Sequence, residues 1–258
     1  MSVYVRYRGY AGPCWGELED GRLYALSKEP WDDHQRTVMQ QSAAEVEMLP
    51  PVKPGKIVCV GLNYAAHVAE SKSAQSIPEE PVIFLKPNSA VIGPAGTIVR
   101  PPGVERVDHE AELAVVIGRR LSRPTEEEAR RGIFAATCLN DVTARPLQRK
   151  DVQWTRAKGF DTFCPIGPWL ITGLDYQNLR VQSFVNGKPR QDGHTKDQIW
   201  GVVELVRFIA SVMTLDPGDV VSTGTPEGVG PLVAGDTVEI KIEGIGSLTN
   251  TVKDFAPA

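Results

Sequence analysis

Along the 258-residue chain the apolar positions fall mostly into short runs broken by glycine, proline and charge, a pattern that predicts many short strands and few long helices. Val3, Val5 and Tyr7 alternate with polar residues, and turns over 9–16 and 19–22 precede the run 23–26. That is a small β-meander. A polar and then weakly helical stretch over 31–49 leads into Pro50-Pro51-Val52-Lys53-Pro54-Gly55, which has the stiffness of a proline linker. The division that follows is a small N-terminal β domain over 1–51 and a larger domain over 52–258.

Beyond the linker, 56–61 reads as a buried strand, Asn63 stands where a helix cap would, and 64–70 has helical propensity. The polar stretch 71–80 continues this piece, and together they read as a lid. Strands are expected over 81–87, 90–93 and 97–99. Thr125 with Glu128 three positions on predicts a capping box, after which 133–139 is a buried strand ending at Asn140-Asp141. Over 142–161 the periodicity is lost and an irregular functional loop is expected. Strands follow over 164–171 and 179–185, with Asn186-Gly187 as a two-residue hairpin turn. Ile199, Val202, Val203, Val206, Ile209, Ala210 and Met213 recur at helical spacing, with Asp197 as the expected cap. Strands over 220–223, 238–242 and 247–252 close the chain. The fold class expected is mainly β, of the α+β type.

One run stands apart. In His109-Glu110-Ala111-Glu112-Leu113-Ala114-Val115-Val116-Ile117-Gly118 two carboxylates two positions apart lead into an apolar strand. Side chains alternate along a strand, so Glu110 and Glu112 share a face while Ala111, Leu113, Val115 and Ile117 take the other. Like charges on one face repel, and a divalent metal with oxygen ligands would offset them; an ordinary strand end facing water is the competing reading. Asp141 ends a second buried strand in the same manner and would add a third oxygen. Three such acids leave about three coordination positions of Mg²⁺ or Mn²⁺ for water or a chelating 2-oxo acid. His67 and Glu70, spaced i, i+3, would supply a base near neutral pH. Arg145, Arg149, Lys150, Arg156 and Lys158 crowd the loop after Asp141, and a subset facing the acids would hold an anion.

Composition narrows the partners. With 28 basic and 32 acidic residues the net charge is -4, so no basic field invites nucleic acid or an anionic membrane. No run of 18 apolar residues and no apolar core in the first ten positions occurs. Cys14, Cys59, Cys138 and Cys164 lack any C-x-x-C pairing, which fits reduced thiols. A cytoplasmic location is expected. The loop Gly224-Thr225-Pro226-Glu227-Gly228-Val229-Gly230 matches neither glycine-rich nucleotide motif; it is either a structural turn or one that offers backbone N–H groups and Thr225 to a carboxylate.

Several separated motifs occur in order: Val60-Gly61-Leu62-Asn63-Tyr64-Ala65-Ala66-His67-Val68-Ala69-Glu70, Phe84-Leu85-Lys86-Pro87, the E-x-E strand, Asn140-Asp141-Val142-Thr143-Ala144-Arg145, Lys158-Gly159-Phe160-Asp161-Thr162-Phe163, and Thr223 to Gly230. In them, residues 54–252 resemble the fumarylacetoacetate hydrolase family, and within it the bacterial 2-hydroxyhepta-2,4-diene-1,7-dioate isomerases. The resemblance implies a mixed β-roll core, a homodimer, and Glu110, Glu112 and Asp141 as ligands of Mg²⁺ or Mn²⁺. It implies a His67–Glu70 dyad on a lid, Lys158 beside the enolate or the substrate carboxylate, and Arg145, Gln148 and Thr225 on substrate oxygens. The activity implied is enolate chemistry on a 2-oxo or 2-hydroxy-dienoic acid in aromatic catabolism, by isomerisation or decarboxylation, with acylpyruvate C–C hydrolysis and oxaloacetate decarboxylation as alternatives. A binding protein without turnover is the reading from another class. Two positions depart from the family pattern. Pro146 stands where Asp commonly follows Thr-Ala-Arg, and Leu62 where acylpyruvate hydrolases often carry Arg, which counts against that last activity.

Overall fold

A computed structural model of the chain describes residues 1–70 and 76–257. Among these, the backbone forms three β-sheets. The largest runs from Arg36–Ser42 at one edge through Arg22–Leu26, Gly12–Glu19, Val3–Gly9, Cys164–Ile171, Ile133–Asn140, Ala111–Ile117, Val220–Ser222 and Ile57–Gly61 to Val82–Lys86. A second sheet orders Lys188–His194, Arg180–Val185, Thr237–Ile242, Gly246–Asp254 and Thr97–Arg100, and a small third one joins Thr143–Ala144, Val107–His109 and Gly230–Leu232. This is the mixed, strand-rich α+β architecture that the sequence led us to expect. The N-terminal meander continues the large sheet, for Val3 pairs with Ile171 and Tyr4 with Leu170.

The strand Ala111–Ile117 lies at the middle of this body and is buried along its whole length. On one face Ala111, Leu113, Val115 and Ile117 join the main apolar core with Val181, Ile240 and Leu248 of the second sheet. The helix Val202–Val212 adds Leu205, Val206 and Ile209 to the same core. On the other face Ala114 and Val116 pack with Ile57, Leu139, Ile166 and Val220 in a second cluster. Burial on both faces explains why the sequence reads as a continuous apolar run rather than an alternation. Each fully buried aliphatic side chain of this kind contributes about 1.5–3 kcal/mol of transfer free energy, which anchors the strand that bears the acids.

The capping box forms as expected: Thr125 Oγ1 accepts from Glu128 N–H while the Glu128 carboxylate accepts from Thr125 N–H, opening the helix Glu126–Gly132. The Asn186-Gly187 turn closes the hairpin between Val185 and Lys188. Three local expectations are corrected. The long helix begins after Gly201, and Asp197 instead ends a single turn, Thr195–Asp197. Tertiary contacts delay the helix, because Ile199 N–H donates to Asn63 C=O at 2.8 Å and Gln198 bridges Tyr64, holding this lead-in extended. Nor does Asn63 cap a helix. Its amide donates to Thr223 C=O at 2.7 Å and its Oδ1 accepts from Trp200 N–H at 2.9 Å. The loop over 142–161 contains two short helices, Arg145–Lys150 and Thr155–Lys158. Pro146 sits in the first turn of the former, where a missing N–H removes no helical hydrogen bond. The expected lid over 71–80 lies partly outside the described residues. Among the described residues no helix is long and apolar enough to cross a membrane.

Candidate functional site

Strand pairing assembles the acids. Glu110 occupies the joint between Val107–His109 and Ala111–Ile117, and Glu112 follows one residue into the second strand. The register sets Ala111 opposite Asn140 and Glu112 opposite Leu139, and Asp141 N–H donates to Glu110 C=O at 2.9 Å. One oxygen from each of Glu110, Glu112 and Asp141 lies within 4.8 Å of the others. All three are buried.

Cations surround two of these acids. Lys158 Nζ donates to Glu110 Oε2 at 2.9 Å and to Asp141 Oδ2 at 2.5 Å, while Lys86 Nζ donates to Asp141 Oδ1 at 2.6 Å. Arg145 Nη2 stands 2.5 Å from Glu110 Oε1, its Nε donates to Asp108 Oδ2 at 2.9 Å, and its Nη1 donates to Gln148 Oε1 at 2.9 Å. Arg106 closes the group on Asp108. Burial alone would raise Glu110, but Lys158 and Arg145 hold it well below the usual carboxylate range. Burial alone would depress Lys158, yet Asp141 and Glu110 keep it above its ordinary value and so charged.

Glu112 is different. Its Oε2 accepts from Ser222 Oγ at 2.5 Å and Gly224 N–H at 3.0 Å, and no cation among the described residues pairs with it. Burial, then the charges of Asp141 and Glu110, push its carboxyl well above the ordinary range. A further positive charge shared by the three carboxylates would relieve that repulsion. The donors are hard oxygens, one from each side chain, which is the chemistry of Mg²⁺ or Mn²⁺ and not of a thiolate or imidazole metal. The residues therefore fit the metal site expected from the sequence.

Eight of the nine residues singled out from the sequence line one pocket: His67, Glu110, Glu112, Asp141, Arg145, Gln148, Lys158 and Thr225. Glu70 stands outside it, with its side chain 41% exposed, 3.7 Å from His67 Nδ1. That separation is too long for a hydrogen bond. Instead Glu70 Oε2 accepts from Gly228 N–H at 3.0 Å, and the buried His67 Nδ1 has no partner among the described residues. Burial lowers the His67 pKa, so the imidazole is neutral and able to accept a proton at neutral pH. The Thr225 hydroxyl donates to Ala111 C=O at 2.9 Å and accepts from Gln191 Nε2 at 2.7 Å. With its proton committed, toward a ligand this hydroxyl can only accept.

Leu62, Phe84 and Trp154 form the apolar side of the pocket. The Phe84 and Trp154 rings meet edge to face at 5.3 Å, and Lys158 Nζ lies 4.9 Å above the Phe84 ring. Sequence reasoning overlooked Lys86, Asp108, Ser222 and Gln191, all buried around the acids. Lys86 lay in a quoted motif, and Asp108 repeats the two-residue spacing of Glu110 and Glu112, so each left a faint signal. Ser222 and Gln191 left none.

Known proteins resemble the chain over most or all of its length. Residues 56–253 match the model of the fumarylacetoacetate (FAA) hydrolase C-terminal family. The structure superposes on a 2-hydroxyhepta-2,4-diene-1,7-dioate isomerase from Mycobacterium marinum with a TM-score of 0.92, at 40% identity and covering 100% of both chains. It superposes on a maleylpyruvate hydrolase from Sphingobium sp. SYK-6, solved in complex with manganese(II) ion and pyruvate, with a TM-score of 0.81 at 29% identity, covering 99% of this chain and 100% of that one. A mitochondrial oxaloacetate tautomerase, FAHD2A, from Bos taurus is 41% identical over 222 residues, 81% of this chain and 70% of that protein.

Proposed function

The chain belongs to the fumarylacetoacetate hydrolase family of enzymes, and from that premise we propose that it is a divalent-metal-dependent isomerase or tautomerase of small 2-oxo or 2-hydroxy-dienoic acids, working through an enolate. The observation that carries this reading is the buried Glu110–Glu112–Asp141 cluster, faced in one pocket by Lys158 and a neutral His67. Glu110, Glu112 and Asp141 would hold Mg²⁺ or Mn²⁺, which supplies Lewis acidity toward the oxygens of a 2-oxo acid. The manganese and pyruvate in the Sphingobium relative support that choice of ion and ligand class.

Charge bookkeeping supports an anionic substrate. Asp108, Glu110, Glu112 and Asp141 face Arg106, Arg145, Lys86 and Lys158, four acids against four bases. A bound dication leaves this group, buried except for the half-exposed Arg106, about two charges positive, the complement of a dicarboxylate or of a carboxylate with an adjacent enolate. Lys158 presents an ammonium beside the acids and stabilises negative charge that develops next to them. His67 takes a proton from the carbon or hydroxyl of the substrate and returns it at another position.

One observation favours isomerisation over C–C hydrolysis. Moving a proton within the substrate requires one base, which His67 provides alone. Hydrolysis requires a water held against that base, and Glu70, which would orient the pair, is bonded to Gly228 instead. The test is a product assay with Mn²⁺ or Mg²⁺ present, offering enol-oxaloacetate, 2-hydroxyhepta-2,4-diene-1,7-dioate, fumarylpyruvate and acetylpyruvate. Accelerated keto–enol or double-bond conversion of the first two without C–C cleavage is expected. Pyruvate released from the acylpyruvates would replace the isomerase reading by hydrolysis, and silence on every substrate would sink both. The second assay is His67→Ala, which is expected to lose turnover while retaining metal binding; a non-catalytic binding protein would not notice the change.

A further inference from the structure

Gln191 lies in the strand Lys188–His194, wholly buried and behind the pocket rather than in its lining. Its Oε1 accepts from Ala111 N–H at 2.9 Å and is 3.2 Å from His109 Nδ1. Its Nε2 donates to Thr225 Oγ1 at 2.7 Å and to Pro226 C=O at 2.8 Å. A primary amide has two acceptor and two donor positions, so all four are used. The orientation is not interchangeable, because Ala111 N–H can only donate and Pro226 C=O can only accept.

This one amide fixes two neighbours. His109 must carry its proton on Nδ1 to meet Gln191 Oε1. Thr225, accepting from Gln191, must turn its own proton to Ala111 C=O at 2.9 Å. The Ala111 residue is therefore held at its N–H by Gln191 and at its C=O by Thr225, and it is the residue between Glu110 and Glu112. The strand and the loop also touch directly: a Cβ on Gly193 would fall 2.4 Å from Pro226 Cβ, so only glycine permits the approach.

We propose that Gln191 is a positioning residue that locks the Ala111 peptide to the Thr225 loop, so that Glu110 and Glu112 are aimed at a divalent cation in a fixed relation to the ligand-facing side of Thr225. The proposal rests on the metal-dependent reading above. Orienting groups of this kind around metal ligands are worth about 10–100-fold in metal affinity.

The experiment measures Mn²⁺ binding by titration calorimetry for the unmodified protein, Gln191→Leu, Thr225→Ala and the double variant, with circular dichroism to establish folding. Gln191→Leu is expected to weaken Mn²⁺ binding at least tenfold. The double variant is expected to lose little more than Gln191→Leu, because both changes release the same peptide. Long-range ¹H–¹⁵N NMR of the unmodified protein is expected to place the His109 proton on Nδ1. A merely structural role would lower the melting temperature and leave the Mn²⁺ affinity alone. Gln191→Leu that is folded and binds Mn²⁺ like the unmodified protein overturns the proposal. Should that variant not fold, Gln191→Glu, which keeps the acceptor half and the shape, is read by the same criterion. Absence of Mn²⁺ binding in the unmodified protein would instead overturn the metal reading itself, and this inference with it.

Discussion

Lys86 donates to Asp141 across 2.6 Å with both side chains shut away from solvent, although 55 positions separate them in the chain. Two buried charges in contact cost desolvation, and their mutual attraction repays it only while both are present. Lys86→Met therefore leaves a buried carboxylate short of one partner. The expected loss is about 3 kcal/mol in urea unfolding, at the low end of the range for breaking a buried pair because Lys158 still reaches Asp141. An unchanged midpoint would show that Lys86 is not a structural counter-ion.

Gly61 and Trp154 make a second prediction. A Cβ on Gly61 would come 2.8 Å from the Trp154 ring, and Trp154 in turn packs on Phe84 at the apolar side of the pocket. Gly61→Ala is expected to push the indole toward the pocket and to lower kcat/KM about tenfold, about 1.4 kcal/mol of transition-state stabilisation. Trp154→Ala removes the clash, so the double variant should resemble Trp154→Ala alone. Independent, additive losses in the two variants would show that the ring and the glycine are not in contact.

How far the sequence reveals this site depends on the range of the interaction involved. Glu110, Glu112 and Asp141 were legible because a charge at the end of an apolar strand is a local anomaly. His67 was legible as a base within a motif, though not its separation from Glu70, which a backbone N–H 158 positions away decides. Lys86 ends an apolar strand whose neighbour Leu85 is half exposed, a pattern shared with any edge strand. Gln191 is one polar residue in a polar hairpin, and its partner Ala111 is 80 positions distant. Asp197 shows the converse. Its spacing suits a cap, and a hydrogen bond from Ile199 to Asn63 overrides that preference. Local chemistry was readable, whereas the partners that fix it arise from sheet register.

Mild acid is expected to draw out a destabilising contribution from the two buried histidines, His67 and His109. Burial depresses the pKa of both His67 and His109 below the ordinary 6.5. The unfolded chain takes up these protons as pH falls past about 6.5 while the folded chain resists them, so unfolding gains protons and is favoured. The contribution of both residues is thus complete above pH 6.5 and is lost progressively below it. Urea midpoints at pH 7.5 and 5.5 measure the effect, and His67→Gln should remove part of the difference. Burial raises the pKa of the Glu112 carboxyl, which opposes the histidines over the same window, so the comparison is made in the Glu112→Gln background; equal midpoints at the two pH values there would mean that neither imidazole is held neutral by burial.

Glu112 allows the metal reading and the structural one to be separated by sign. It has no cationic partner among the described residues, and its carboxylate is opposed by burial and by Asp141 and Glu110. Glu112→Gln consequently removes repulsion without breaking an ion pair, and the new amide oxygen can still accept from Ser222 Oγ and Gly224 N–H. In the presence of a chelator the variant should melt at the same temperature as the unmodified protein or above it. With Mn²⁺ added the order should reverse. A cation that binds only the folded state stabilises it by about 2.7 kcal/mol at a concentration one hundred times its Kd, and the variant, deprived of one of three carboxylates, should gain much less. If Glu112→Gln instead destabilised the chelator-treated protein, Glu112 would be a structural carboxylate whose hydrogen bonds outweigh the repulsion, and a cation would not be needed to account for three acids at one point.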